Sequence, residues 1–290
     1  MEKYHDIDEH FIFIRLITST SKSYIWLASP RTHPTTFVAI KEIFISQIVN
    51  PQHVMNERAV LAMLRDLKFP KSPWLLGTSK NNESLFLIQT LVDGAPLHMH
   101  LPLRVDTAKR YFAETLSIVE FLHNHNVLYR DIKLSNLVLT KGRIHLVDFG
   151  LSKILATPNE RRKSICGTPH AMAPEVARGS DYGFECDFFS LGILLYELLV
   201  GKPCTSQPVS LDHPYIVSAE AEDLLSQLLE PDPSKRLVSF EKIRGNIFFE
   251  NCSADWWRAA HWDSNNRNPR SDPKISLAFI HGHDDVFKDF

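Results

Sequence analysis

Residues 128–151 read LYRDIKLSNLVLTKGRIHLVDFGL. Four side chains here could act together: Asp131, Lys133 two residues on, Asn136 five residues on, and Asp148 at the head of Asp-Phe-Gly. Asp131 can orient a hydroxyl and accept its proton. Lys133 can offset charge on a phosphoryl group in transit. Asn136 and Asp148 offer hard oxygens to magnesium, which also binds phosphate oxygens. That is the equipment for phosphoryl transfer to a hydroxyl. A lone Arg-Asp pair would carry little weight; the order and spacing of all four point to the chemistry.

The elements that must hold these groups follow from pattern. Two short apolar strands, 136–140 and 143–147, flank a Lys141-Gly142 turn and carry Asn136 and Asp148 at opposite ends. Upstream, 11–16 and 23–28 are rich in Ile, Phe and Tyr and read as a hairpin around a turn at 17–22. Phe37-Val38-Ala39-Ile40-Lys41 reads as the next strand, with Lys41 available to phosphate. Helical spacing over 53–67 places Glu57 on a helix where it can pair with Lys41. A strand at 84–92 runs into the breaker cluster Asp93-Gly94-Ala95-Pro96, read as a hinge. Helices are expected over 105–124, 187–200 and 222–229, the second with almost no polar face.

Bulk properties exclude other classes. The chain has 290 residues, 44% hydrophobic and 23% charged, with formal net charge −2. That balance gives no reason to expect nucleic acid or an anionic membrane as a partner. The apolar run near residues 191–200 is too short for a span, which needs ~20 residues. The N-terminus is polar and acidic and does not read as a signal peptide. Four scattered cysteines fit neither a metal site nor a disulfide framework, so a reducing intracellular compartment, cytoplasmic or nuclear, is expected. No repeat is visible, and residues 262–273, rich in Asn, Asp, Arg and Pro, read as a linker or tail. His98, His100, His123 and His125 lack convergent partners for zinc, and His123 reads as a packing residue. Cys166 reads as a core thiol, and Trp256 and Trp257 as closing residues of the larger lobe.

With these residues in view, the chain resembles the AGC group of protein kinases over about residues 8–260. Besides the motifs above, the resemblance rests on Tyr129-Arg130-Asp131, Asn56-Glu57-Arg58, Cys166-Gly167-Thr168-Pro169, Ala173-Pro174-Glu175 and Asp187-Phe188-Phe189. It implies an α+β bilobal fold: a β-rich N-lobe at 1–93 with one key helix, a mostly helical C-lobe at 94–260, and a tail at 261–290. It implies a serine/threonine kinase using ATP and Mg2+ on a protein substrate, with Leu151 after Asp-Phe-Gly favouring serine. Asp131 and Lys133 would be catalytic, and Asn136 and Asp148 would hold metal. Lys41, Glu57, Ile17, Thr18, Thr20, Ser23, Ile25, Ala39, Gln89, Thr90, Val92 and Val138 would form the ATP site, with backbone of Thr90 and Val92 at the adenine edge. Ser164 would be a phosphosite paired with Arg130 and Lys153, the target of an upstream kinase. Thr168 would bond Asp131 and Lys133. Asp187 would hold the catalytic-loop backbone, Glu175 would pair with Arg236, and Leu61, Leu75, Tyr129 and Phe149 would stack as a spine. The terminal Phe287-Lys288-Asp289-Phe290 would dock its rings on the N-lobe. The chain would act as a monomer or under a regulatory partner.

Departures from the family pattern keep a second reading open. Thr18, Thr20 and Ser23 stand where three phosphate-loop glycines belong, and only their hydroxyls could substitute for close backbone approach. Gln89 is polar at the back of the adenine pocket. Pro96 and Ser135 stand where acidic residues read basic substrates, and residues 201–219 are too short for the usual docking helix. The alternative is a pseudokinase acting as a scaffold.

Overall fold

The computed structural model describes residues 7–205, 209–211, 218–253 and 256–257. The chain divides into two compact units at the Asp93–Gly94 bond.

The first unit opens with a single turn, α1 (Ile7–His10), and builds a five-stranded antiparallel sheet. Its strands are β1 (Phe11–Ser19), β2 (Ser23–Pro30), β3 (Val38–Phe44), β4 (Leu75–Lys80) and β5 (Ser84–Thr90), in spatial order β1-β2-β3-β5-β4. Alternation works as expected on β3: Val38 and Ile40 enter a core with Phe11, Ala28, Leu76, Phe86 and Ile88. Between β3 and β4 lies α2 (Pro51–Asp66). Asn50 caps it by accepting from the Gln52 amide, and Pro51 sits where no intrahelical N–H is needed. Its buried face carries Val54, Glu57, Val60, Leu61 and Leu64.

Some boundaries differ from expectation. Ile17, Thr18 and Ser19 belong to β1 rather than to the turn, because Thr18 pairs with Ile25 and Ser19 with Tyr24. With no glycine to break the run, β-branched Ile and Thr stay extended. The strand expected to 92 ends at Thr90.

The second unit is mostly helical. Short strands β6 (Ala95–Pro96) and β7 (Val127–Leu128) flank α3 (Val105–Asn124). The hairpin β8 (Leu137–Thr140) and β9 (Arg143–Leu146) follows, then β10 (Lys153–Ile154) and the short α4 (Pro174–Ala177). The helix α5 (Glu185–Val200) is buried almost all round. It packs against α6 (Ala219–Leu228) at Gly192, where an added Cβ would sit 2.9 Å from Leu228 Cβ. The helix α6 starts three residues before the expected position because Ser218 caps it. The helix α7 (Phe240–Arg244) follows. Trp257 packs edge-on against Phe249, ring centroids 5.3 Å apart. Among the described residues no helix is long and apolar enough to cross a membrane. Phe287 and Phe290 lie outside the described residues.

Candidate active site

In the first unit, strand register sets the nucleotide candidates. Lys41 lies opposite Ile25 on β2 and Leu87 on β5, and Ala39 lies opposite Gln89. Lys41 Nζ donates to Glu57 Oε1 at 2.7 Å, with both side chains buried. A buried ammonium needs such a partner, since an unpaired charge away from water is costly. The pair fixes where the Lys41 charge sits. Thr90 is also buried; its N–H donates to the Trp74 carbonyl and its hydroxyl accepts from the Trp74 amide. Thr90 therefore has no N–H left for a ligand. Val92 is half-buried just beyond β5.

The turn after β1 corrects one expectation. Thr20 Oγ1 accepts from the amides of Lys22 (3.2 Å) and Ser23 (3.1 Å) and lies 3.2 Å from Ser23 Oγ. The Thr20 amide donates to the Ser23 carbonyl. Three of the turn's N–H groups and the Thr20 hydroxyl are thus satisfied inside the turn. A threonine turn of this type closes on itself, so Thr20 does not hold its hydroxyl out to phosphate. Thr18 is exposed on β1 and Ile17 is 41% exposed.

In the second unit, Asp187 is the fixed point. It is fully buried at the start of α5. Oδ2 accepts from the Tyr129 amide at 2.9 Å and lies 2.8 Å from His123 Nε2; Oδ1 accepts from the Arg130 amide at 2.8 Å. His123 does pack, against Phe184, Phe188 and Phe240. Its bond to Asp187 makes it a polar support as well, which packing arguments missed. Arg130 takes φ of +70°, costly for a side chain with a Cβ, and the Asp187 bond helps hold it there.

Asp131 follows directly. Its Oδ1 accepts from Thr168 Oγ1 at 2.6 Å. Its Oδ2 receives Lys133 Nζ at 2.7 Å and Asn136 Nδ2 at 2.9 Å. Lys133 also donates to Thr168 Oγ1 at 2.7 Å. One carboxylate, one ammonium and one hydroxyl therefore form a closed triangle. Asn136 Nδ2 donates to the Asp131 carbonyl and to Asp131 Oδ2, leaving the side-chain Oδ1 as the atom to ligate. The Val147 amide donates to the backbone carbonyl of Asn136, so antiparallel pairing brings Asn136 and Asp148 to the same end of the β8–β9 hairpin. Asp148 is exposed, with φ of +61°, and its Oδ1 accepts from the Gly150 amide. Tyr129 donates to the carbonyls of Val147 (2.6 Å) and Asp148 (3.0 Å). Burial first, then the Asp131 and Asp148 charges, push its phenol pKa well up, so it remains a donor.

The donor set suits magnesium, which commonly takes one or two protein oxygens and fills the rest with phosphates and water. Among the described residues no group of three or more His, Cys, Asp or Glu is placed to hold a metal ion by itself. Val138 lies one residue along β8 from Leu137 and is buried.

Outer supports lie further along the chain. Arg236 donates to both oxygens of Glu175, at 2.6 and 2.8 Å, with its side chain fully buried. Tyr129 and Phe149 meet edge-on, centroids 5.5 Å apart, while Leu61 and Leu75 are buried in the first unit. Arg130 Nη1 donates to Ser164 Oγ at 3.0 Å. Tyr182, which no motif flagged, shares that hydroxyl.

A family profile described as protein kinase domain matches residues 28–249. The chain is 35% identical over 238 residues to a RAC family serine/threonine-protein kinase homolog of Dictyostelium discoideum, covering 74% of this chain and 53% of that one. It is 33% identical over 270 residues to serine/threonine-protein kinase Sgk2 of Homo sapiens, covering 84% and 72%. To protein kinase C delta type of Rattus norvegicus it is 31% identical over 261 residues, covering 83% and 38%. The chain thus spans about half the length of the Dictyostelium relative and less of the rat one.

Proposed function

The chain belongs to the protein kinase family, in its AGC group, and from that premise we propose that it transfers the γ-phosphoryl group of ATP to a serine hydroxyl of a protein. The observation that carries this is the Asp131 carboxylate, held by Lys133, Thr168 and Asn136. Asp131 orients the acceptor hydroxyl and takes its proton as the oxygen bonds to the γ-phosphorus. The bond from that phosphorus to the β–γ bridging oxygen breaks, and ADP leaves. Lys133 offsets charge on the equatorial oxygens, and Lys41, positioned by Glu57, holds the α- and β-phosphates. Asn136 and Asp148 would hold magnesium, which when bound neutralises charge on the β- and γ-phosphates. The ATP contacts extend over Ile17, Thr18, Ser23, Ile25, Ala39, Gln89, Val92, Val138 and the backbone of Thr90. Ser164 is the regulatory phosphosite, and protein substrates and an upstream kinase are the partners.

The scaffold alternative is not favoured. The closed turn at Thr20 subtracts phosphate contacts, but the charged groups that do the chemistry are all present. The turn predicts weak nucleotide affinity rather than none. Thermal shift with Mg-ATP tests this. A ligand at a hundred times its Kd adds about 2.7 kcal/mol to the folded state. Wild type is expected to gain melting temperature with Mg-ATP, and Lys41→Ala and Asp148→Asn to lose the gain. No shift for wild type at millimolar Mg-ATP would overturn the proposal.

A further inference from the structure

The segment leading to Thr168 is tied down by a residue with no place in the chemistry above. Tyr182 is fully buried among Leu128, Leu155, Ala171, Cys186 and Phe189. Its backbone forms a two-way bridge with Arg162: the Arg162 amide donates to the Tyr182 carbonyl at 2.8 Å, and the Tyr182 amide to the Arg162 carbonyl at 2.9 Å. Two residues further, its phenol donates to the Ser164 carbonyl at 2.8 Å. The same oxygen lies 3.0 Å from Ser164 Oγ and accepts from Arg130 Nη1 at 3.1 Å. Burial raises the phenol pKa, which keeps the hydroxyl protonated for this work.

The path from there to Asp131 is short. Gly167, at φ +117°, passes so close to Arg130 that an added Cβ would lie 2.9 Å from the Arg130 carbonyl. Thr168 then delivers its hydroxyl to Asp131 and Lys133. Tyr182 thus grips residues 162–164, Arg130 grips residue 164, and Thr168 arrives in place with no charge on Ser164.

We propose that Tyr182 is a positioning residue: its phenol docks the activation segment on Arg130 while Ser164 carries no phosphate. Resting on the kinase reading, this gives the chain a basal activity that phosphorylation of Ser164 raises rather than switches on. A phosphate on Ser164 brings close to two negative charges and three acceptor oxygens to Arg130, and makes the neutral latch less important.

The test uses the full chain with Ser164 shown unphosphorylated by intact mass. Tyr182→Phe removes the hydroxyl and keeps the ring in its core. Trypsin cleavage after Arg161, Arg162 and Lys163 reports segment docking without requiring activity. Counting the phenol as one net hydrogen bond of ~1 kcal/mol, its loss is expected to speed cleavage about fivefold. In phosphotransfer assays kcat should fall by a similar factor with KM for ATP unchanged, and the deficit should shrink when Ser164 is phosphorylated. If Tyr182→Phe fails to fold, Ser164→Ala breaks the latch from the other side and is expected to speed cleavage by a smaller factor. Wild-type cleavage rates in the folded variant, or an equal kcat deficit with and without phosphate, would overturn the proposal. A wild type that resists trypsin but transfers no phosphate would sink the kinase reading and leave the docking role standing.

Discussion

Asp187→Asn replaces one carboxylate oxygen by an amide nitrogen at a fully buried hub. Three donors converge there: the Arg130 amide on Oδ1, and the Tyr129 amide and His123 on Oδ2. If the new NH2 faces Arg130, two donors meet across 2.8 Å. If it faces Tyr129, His123 can change tautomer and accept, but the Tyr129 amide cannot. One backbone N–H is therefore left buried without an acceptor in either orientation, costing about 1–3 kcal/mol. The remaining bonds also lose charge assistance, roughly 1 kcal/mol more. The sum is about 3 kcal/mol, which for a unit of this size lowers Tm by roughly 6–12 °C. Activity should suffer more than stability alone implies. Arg130 is held at positive φ one residue before Asp131, and a misplacement of ~1 Å at a reacting group can cost about a hundredfold in rate. Urea denaturation and kcat on purified protein check both numbers. An Asn variant within about 0.5 kcal/mol of wild type and within a factor of about two in kcat would refute the reasoning, since that is the range of an ordinary surface change.

Two further outcomes follow from buried charge. Glu175→Gln leaves the Arg236 guanidinium buried without its counter-charge and should cost about 3–5 kcal/mol by urea denaturation, while Glu175→Leu with Arg236→Met recovers much of the loss. Glu197 is buried, accepts from the Cys204 amide, and has its pKa raised to about 7 by that burial. His170 lies 3.6 Å away, but burial and Lys133 push its pKa down, so the two form no firm ion pair at neutral pH. Because the folded state favours the neutral carboxyl, Glu197 costs nothing below its unfolded value near ~4.5 and up to about 3 kcal/mol above pH 7. Melting curves of wild type and Glu197→Gln should nearly agree at about pH 4 and diverge by about pH 8, with the variant the more stable; parallel curves would contradict this.

The chemistry-bearing set was legible because phosphoryl transfer restricts residue type and spacing together. Asp131, Lys133, Asn136 and Thr168 lie close along the chain or follow a recognisable motif; Thr168 bonds Asp131 and Lys133 as the resemblance implied, and Asn136, expected as a metal ligand, also donates to Asp131. Helix α2 was legible for local reasons, Asn50 and Pro51 at its start and apolar spacing along it. The turn was half legible. Missing glycines were plain, but not that Thr20 would close the turn on itself, because the choice between folding inward and reaching out depends on how far β1 pairs with β2. Least legible were partners brought together by tertiary packing. His123 meets Asp187 across 64 positions, and Tyr182 meets Ser164 across 18. Neither lies in a spaced motif, and each looks apolar until its polar tip is seen to have a buried partner. Phe287 and Phe290, outside the described residues, remain an expectation.

The most direct measurement is phosphate transfer from γ-labelled ATP to a serine-containing protein substrate such as a mixed histone or casein preparation, by wild type and Asp131→Asn at equal concentration with magnesium. The account predicts label on serine with wild type and, for Asp131→Asn, a fall in kcat of at least about a hundredfold, the scale of a lost general base. Magnesium-dependent ATP binding should persist in that variant. Equal transfer by the two proteins would contradict the role of Asp131, and no serine labelling by wild type at saturating Mg-ATP, on these substrates or on itself, would contradict the assignment of activity.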